Sequence, residues 1–154
     1  MTYDSREDTL AHIERVRDLI GLFISKMIVR SHAHDKSKLE EPEKSGFDKY
    51  TPLLKDCTYG SDEYKTFLAG LGESLKHHYE NNSHHPEHYM DGIAGMSLLD
   101  VVEMFCDWKA ATERHADGSL DKSIGLNKTR FKYDDTLERI FQNTRLLWHR
   151  CFIW

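Results

Sequence analysis

Residues 97–111, Ser-Leu-Leu-Asp-Val-Val-Glu-Met-Phe-Cys-Asp-Trp-Lys-Ala-Ala, are apolar nearly all round, which predicts a helix. The three carboxylates of this segment, Asp100, Glu103 and Asp107, are three and four residues apart and therefore share one helix face. A capping box with Ser97 explains Asp100. Glu103 and Asp107 have no such explanation, because carboxylates are rarely buried unless they are paired or bind a metal ion. The face they share is either a metal-binding face or the solvated side of the helix.

Helical periodicity recurs on both sides of this segment, and no alternating strand pattern or hairpin is present. Apolar residues at three- and four-residue spacing predict three further helices, and the first of them has one buried face. The three stripes are Ile13, Val16, Ile20, Phe23 and Met27; Tyr64, Phe67, Leu68, Leu71 and Leu75; and Leu137, Ile140, Phe141, Thr144, Leu147 and Trp148. Turn-rich segments separate them, so we expect an all-α bundle of about five to seven helices.

Length and composition limit the class of protein. A chain of 154 residues and 18.1 kDa predicts a single domain over residues 1–154, with a core over about 8–145. The 39% of apolar residues suffice for a core, but no run is long enough to span a membrane. A net charge of −5 argues against an extended nucleic-acid surface. Three widely spaced cysteines and a polar start, without the apolar core of a signal peptide, favour a cytoplasmic protein.

The last residues of the sequence carry several aromatic side chains, from Trp148 to Trp154. An exposed apolar tail of this kind would be unfavourable in water. We therefore expect it to dock on its own domain or to form a contact between two copies of a homo-oligomer.

Histidine is unusually frequent in one short segment. Five of the ten histidines lie within residues 77–88. The second apolar stripe continues to His78, which makes His78 a better ligand candidate than His77. An unbroken helix would hold His78 about 10.5 Å from His85, too far apart to share an ion. A chain reversal at Asn81-Asn-Ser83 and Pro86 would bring them together; the alternative is a solvated loop, and the choice between His85 and its neighbour His84 stays open.

A second candidate is the adjacent pair His34-Asp35. An imidazole nitrogen and a carboxylate oxygen can bind one ion together, although histidine is also favourable at a helix C-terminus. Histidine and carboxylate on separate helices supply four to six ligands for one or two divalent metal ions. This donor set accepts Mn, Mg, Co, Ni, Fe or Zn.

The pattern His34-Asp35-x-Ser37-Lys38 resembles the signature of the HD superfamily, which is built as an all-α bundle with metal-binding His-Asp pairs. The segments around His12 and Asp107 resemble the helices that supply its first and last metal ligands, and the segment from His84 to Glu87 resembles the extra histidine segment of two-metal members. More closely, the chain is similar to an uncharacterised bacterial and bacteriophage family known only as a domain of unknown function.

The resemblance implies a metal-dependent phosphohydrolase that acts on a nucleotide or another small phosphate ester. The implied metal ligands are His12, His34, Asp35, His78, His85 and Asp107. Asp35, Lys38 and Glu103 would serve catalysis, with Lys38 contacting phosphate and Glu103 orienting a ligand or acting as general base. Two other functions fit the same residues: a dinuclear iron oxygenase, and a non-catalytic module in which a metal stabilises a nucleotide- or protein-binding fold.

One implied ligand conflicts with helix geometry. His12 and His34 are 22 residues apart, or about 33 Å along one straight helix. They can share an ion only if the first helix breaks near Gly21 or Ser25.

Overall fold

The computed structural model describes residues 3–58, 60–114 and 118–148. Within these ranges the protein is all-α, as expected, with seven α-helices and no strand. The helices are α1 (Arg6–Ala33), α2 (Glu43–Lys55), α3 (Asp62–Gly70), α4 (Gly72–Asn81), α5 (Leu98–Thr112), α6 (Leu120–Phe131) and α7 (Asp135–Thr144). Short 3-10 helices cover Lys36–Leu39, Pro86–His88, Gly92–Gly95 and Arg145–Trp148. None of the described helices is long and apolar enough to cross a bilayer.

The chain divides into two compact units, one ending at His34 and the other beginning at Asp35. The first unit consists of α1, an unbroken helix of 28 residues. The expected helix is confirmed, and its expected buried face stays a prediction. The helix also continues through Gly21 and Ser25 without a break.

The second unit contains the hydrophobic core. Its buried members come from α5, α6, α7 and the connection between the last two, and they are Met104, Phe105, Trp108, Leu120, Ile124, Tyr133 and Phe141. The rings of Phe105 and Phe141 stack with centroids 4.6 Å apart. The core described here therefore lies in the second unit alone, and the single domain expected over residues 1–154 stays a prediction.

The second apolar stripe belongs to two helices. The sequence predicts one helix for this stripe. In the structure Leu71 lies between two helices, directly after the last residue of α3 and directly before the first residue of α4. Gly72 adopts a left-handed conformation, with φ of +48°, at this break. Leu71 is buried, so the apolar pattern is correct although the helix is interrupted.

Helix α2 crosses α4 at close range through a glycine. A Cβ atom at Gly46 would overlap the hydroxyl of Ser74 on α4. That hydroxyl donates a hydrogen bond of 2.9 Å to the carbonyl of Pro42, just before α2. The absence of a side chain at Gly46 thus lets the first turn of α2, which begins at Glu43, lie against α4.

This close crossing predicts that Gly46→Ala destabilises the protein by about 1–3 kcal/mol, because an added methyl group overpacks the contact with Ser74. Gly125→Ala in α6 is the matched control, since a Cβ atom there meets nothing within 4 Å. In α6 alanine should stabilise the helix by roughly 0.5–1 kcal/mol. Urea unfolding measures both; equal effects of the two substitutions would contradict the close crossing.

Candidate metal centre

A chain reversal after α4 brings three histidines together. His78 lies in the last turn of α4, and Asn82 leaves the helix in an extended conformation. The Asn82 amide secures the turn by donating to the carbonyl of His78 and to Ser37 Oγ, both at 2.8 Å. After the reversal, His85 Nε2 lies 2.9 Å from His78 Nε2. The predicted reversal at residues 81–83 is confirmed, and the solvated loop is excluded for these two rings.

Asp35 lies close to these three histidines. It directly precedes the 3-10 helix Lys36–Leu39. Its Oδ1 lies 3.4 Å from His78 Nε2 and 3.4 Å from His84 Nε2. One ligand atom from each of Asp35, His78, His84 and His85 lies within 4.8 Å of the others. We call these four residues the His–Asp centre. The φ of Asp35 is +56°, a left-handed conformation that is uncommon outside glycine and is found preferentially at functional positions.

Both histidines of the residue 84–85 pair belong to the centre. His84 is 2% exposed, and its Nε2 lies 3.4 Å from Oδ1 of Asp35. His78 is 1% exposed and lies in the centre, whereas the His77 side chain is 39% exposed, and His78 as a metal ligand stays a prediction. Periodicity could not separate His84 from His85, because the chain leaves α4 after Asn81 and no helical register continues to them.

Behind the centre lies a buried carboxylate, Glu43, with no solvent exposure. Its Oε2 accepts hydrogen bonds from His78 Nδ1 at 2.8 Å and from Ser37 Oγ at 2.9 Å. Its Oε1 accepts a third from His77 Nδ1 at 2.8 Å. Sequence reasoning missed Glu43, which stands in a stretch that reads as a turn-rich connection.

Glu103 contacts a second histidine ring, that of His84, as Glu43 contacts the ring of His78. Its Oε1 lies 3.1 Å from His84 Nδ1, and the residue is 9% exposed. One turn earlier, Asp100 accepts from Ser83 Oγ at 2.7 Å and from Tyr89 Oη at 3.0 Å, which ties the loop carrying His84 and His85 to the start of α5. The carboxylate face of α5 is therefore buried and hydrogen-bonded at Asp100 and Glu103, not solvated.

These contacts decide which ring nitrogen carries the proton. A carboxylate only accepts hydrogen bonds, so Nδ1 of His78 and of His84 must be the donor to Glu43 and Glu103. In the neutral imidazole, Nε2 then carries a lone pair, and in both rings Nε2 is the atom that faces Asp35. A carboxylate that fixes a histidine tautomer in this way is the usual outer partner of a metal-bound imidazole.

Burial keeps the imidazoles neutral. It lowers the pKa of His85 to about 3, assisted by the neighbouring His84 and His78, while the charges of Asp107 and Asp35 act in the opposite direction. Burial also lowers the pKa of His78, with a smaller contribution from Lys38. Neutral histidine is the form that binds metal ions.

The donor set of the His–Asp centre fits one divalent ion. Zn²⁺ binds nitrogen and oxygen ligands at about 2.0–2.2 Å in a tetrahedron, which places neighbouring ligand atoms roughly 3.3–3.6 Å apart. The two distances of 3.4 Å from Asp35 to His78 and His84 match that edge, whereas Nε2 of His78 and Nε2 of His85, at 2.9 Å, lie closer together. Nε2 lone pairs that face a carboxylate oxygen suit a cation, and the grouping is one that could bind a metal ion.

The remaining predicted site residues are placed as follows. Lys38 Nζ contacts the second carboxylate oxygen of Asp35, Oδ2, at 2.6 Å. Asp107 is half-buried on α5, and its charge acts on His85. His34 is the last residue of the first unit, so its part in the site stays a prediction. His12 is exposed in the middle of the unbroken α1, about 33 Å along the helix from His34, so these two residues do not share an ion.

A comparison with protein families places the chain. It belongs to the family described as Family of unknown function (DUF5662), whose model matches residues 1–148. This confirms the resemblance to an uncharacterised family. No curated protein and no solved structure matches the chain.

The lowered histidine pKa values predict that the metal-free protein loses stability in weak acid. Below pH 6.5 the unfolded chain protonates His85, whereas the folded state holds it neutral down to about pH 3, so the free energy of unfolding falls as the pH falls through this window. For His85 the loss between pH 7 and pH 5 should be on the order of 2 kcal/mol. Urea unfolding in the presence of a chelator measures it. The His85→Gln variant should show a smaller loss, and an equal loss in both proteins would contradict the buried neutral ring.

The substitution Glu43→Gln tests whether the buried carboxylate of Glu43 orients His78 for metal binding. Glutamine keeps the size of Glu43 but replaces a charged acceptor, so the hydrogen bonds that orient His77 and His78 weaken, and metal affinity should fall on the order of 10–100-fold. The matched control is Glu41→Gln, which removes the charge of an exposed carboxylate that accepts from Ser45. Competition with a fluorescent chelator measures both affinities; equal affinities in the two variants would show that Glu43 does not position His78.

Proposed function

We propose that this protein is a metal-dependent phosphohydrolase that acts on a nucleotide or another small phosphate ester. The observation that carries the proposal is the His–Asp centre itself, in which Oδ1 of Asp35 lies 3.4 Å from Nε2 of His78 and of His84. His85 Nε2 lies 2.9 Å from His78 Nε2, and the ammonium group of Lys38 contacts Oδ2 of Asp35. A cationic side chain thus stands beside a site for a divalent cation. Lys38 and a bound ion would supply the positive charges that meet an anionic substrate.

Asp35, His78, His84 and His85 would hold the ion. A divalent metal in such a site neutralises charge on phosphoryl oxygens and lowers the pKa of a coordinated water. The chain's own contribution is to keep the donor atoms aligned before the substrate arrives, because Glu43 and Glu103 hold the Nδ1 protons and leave Nε2 of His78 and His84 directed at Asp35.

In this proposal Lys38 binds the substrate. Its side chain is 31% exposed, and its ammonium group lies 4.8 Å from the centre of the Phe47 ring. The contacts with Asp35 and Phe47 restrict the long side chain to one region, which reduces the entropy lost when it meets an anion. A partly exposed ammonium group next to a metal ligand can reach a phosphate oxygen that approaches the ion.

The sequence resemblance supports the same reaction. The pattern around His34-Asp35 and Lys38 is similar to that of the HD superfamily, in which such residues hold metal ions for phosphoester hydrolysis. We extend this similarity to the present chain as part of the proposal, with Asp107 and His34 as further ligand candidates beside the four residues of the centre.

Metal analysis and hydrolysis assays on untagged protein test the proposal. The protein should contain a stoichiometric divalent ion and release phosphate from members of a nucleotide and phosphomonoester panel. Asp35→Asn should lower metal content and turnover at least about tenfold while leaving the fold intact, because asparagine also tolerates a left-handed backbone conformation. His32→Gln, which removes an exposed histidine of α1, should change neither.

The alternatives give different results in the same experiment. Two bound iron ions with a visible absorption band and oxygen consumption would contradict hydrolysis and favour an iron oxygenase. A bound ion with no turnover of any substrate, combined with loss of thermal stability on chelation, would favour a binding module with a structural metal.

A further inference from the structure

We propose that Arg130 of α6 is a positioning residue that holds His85 in the His–Asp centre; the proposal rests on the metal-dependent function proposed above. Nη2 of Arg130 donates hydrogen bonds to Oε1 of Glu87 at 2.5 Å and to Oη of Tyr79 at 3.3 Å. One guanidinium group thus joins α6 to α4 and to the 3-10 helix Pro86–His88, which directly follows His85.

The contact with Tyr79 acts on the ring of His85. The centroids of the two rings lie 4.9 Å apart, so the phenol ring forms a wall against which the imidazole packs. The hydrogen bond from Arg130 to the hydroxyl, at the tip of the phenol, limits how far this wall can shift. Arg130 therefore restrains His85 through the side chain that lies beside it.

The contact with Glu87 acts on the backbone of His85. Glu87 follows His85 by two residues, and the residue between them is the buried Pro86. A proline restricts the backbone of the residue before it, and His85 adopts the extended conformation that this favours, with φ of −96° and ψ of 129°. The carbonyl of His85 also accepts a hydrogen bond of 3.0 Å from the N–H of His88. A short, restricted segment therefore carries the restraint from Glu87 to His85.

Helix α6 gives these contacts a firm support. Ile124 on the same helix is buried, and the ring of Phe131 stacks on the core ring of Trp108 with centroids 6.1 Å apart. The guanidinium carbon of Arg130 lies 4.7 Å from the centre of the Phe131 ring, a cation–π contact that restricts the direction of the side chain. Because a packed core resists displacement, Arg130 is a defined point to which the histidine segment is attached.

A second cation of α6 provides a comparison. Lys128 Nζ contacts Glu138 of α7 at 2.5 Å, and its side chain is 31% exposed, close to the 40% of Arg130. Exposed ion pairs of this kind contribute little to the free energy of unfolding. Lys128 joins α6 to α7, whereas Arg130 joins α6 to the segment after His85. The two cations thus separate a general contribution to the stability of α6 from a specific effect on the centre.

Metal affinity, measured by competition with a fluorescent chelator, tests the role of Arg130. Arg130→Gln should lower the affinity about three- to tenfold, because Arg130 acts on the centre through Tyr79 and Glu87 and not directly on an imidazole. Arg130→Lys should restore part of the loss, since an ammonium group can pair with Glu87 but cannot reproduce the guanidinium fork. Lys128→Gln is the matched control and should leave the affinity unchanged.

Glu87→Gln tests the same contact from its other side, and it decides the question if Arg130→Gln fails to fold. It should also lower the affinity, and the two substitutions together should lower it by less than the sum of their separate effects, since both remove one shared contact. All variants keep the full chain, including the aromatic tail of residues 149–154, which lies outside the described residues.

A measurement without metal separates this inference from the proposed function. Diethyl pyrocarbonate modifies accessible neutral imidazoles, and tandem mass spectrometry gives the rate for each histidine. In the metal-free protein, Arg130→Gln should raise the rate at His85 at least about threefold, because the segment opens more often. The rate at His32 of α1 should not change. A wild-type protein that binds no divalent ion would contradict the proposed function, and the rates at His85 would then decide the role of Arg130 by themselves.

Three results would overturn the inference. The first is an unchanged metal affinity in Arg130→Gln, and the second is an equal loss of affinity in Arg130→Gln and Lys128→Gln, which would show a general effect on α6. The third is a rate of His85 modification in Arg130→Gln equal to that of the wild-type protein.

Discussion

The His–Asp centre depends on a single buried carboxylate, Glu43. An ionised carboxylate with no solvent exposure is expensive unless its lone pairs are satisfied. Here three hydrogen bonds satisfy them, from His77, His78 and Ser37. These donors come from α4 and from the 3-10 helix that follows Asp35, while Glu43 itself begins α2. These hydrogen bonds therefore take the place of water around the carboxylate and join the three segments. They also fix the orientation of the His78 ring, and with it the direction of Nε2.

Helix α5 connects the packed core to the His–Asp centre. One face of α5 contributes Met104, Phe105 and Trp108 to the core. On another face, Asp100 accepts a hydrogen bond from Ser83, and Glu103 contacts His84 of the same loop. Because packed cores resist displacement, the carboxylates of α5 occupy defined positions against which the histidine loop is held. This arrangement also explains how a helix that is apolar nearly all round can contain buried acidic residues.

The sequence predicted the features that depend on local periodicity. Apolar spacing identified the helices, and the second stripe selected His78 over His77 because a helical register fixes which of two adjacent residues faces inward. The reversal after α4 could be predicted because Asn82 and its neighbours disfavour a continuing helix. Glu43 could not be predicted, since its histidine partners are 34 and 35 residues away and no periodic pattern links them.

Hydrogen bonding also limits how many ions the described donors can hold. Each histidine has two ring nitrogens, and in His78 and His84 Nδ1 is engaged by Glu43 and Glu103, which leaves only Nε2 for a metal. The carboxylate of Glu43 is occupied as an acceptor, and Oε1 of Glu103 lies 3.1 Å from His84 Nδ1. Three imidazole nitrogens and one oxygen of Asp35 then complete a four-ligand set for one ion. A second ion would need donors beyond these four, and among the described residues of α5 the carboxylate whose charge reaches His85 is Asp107.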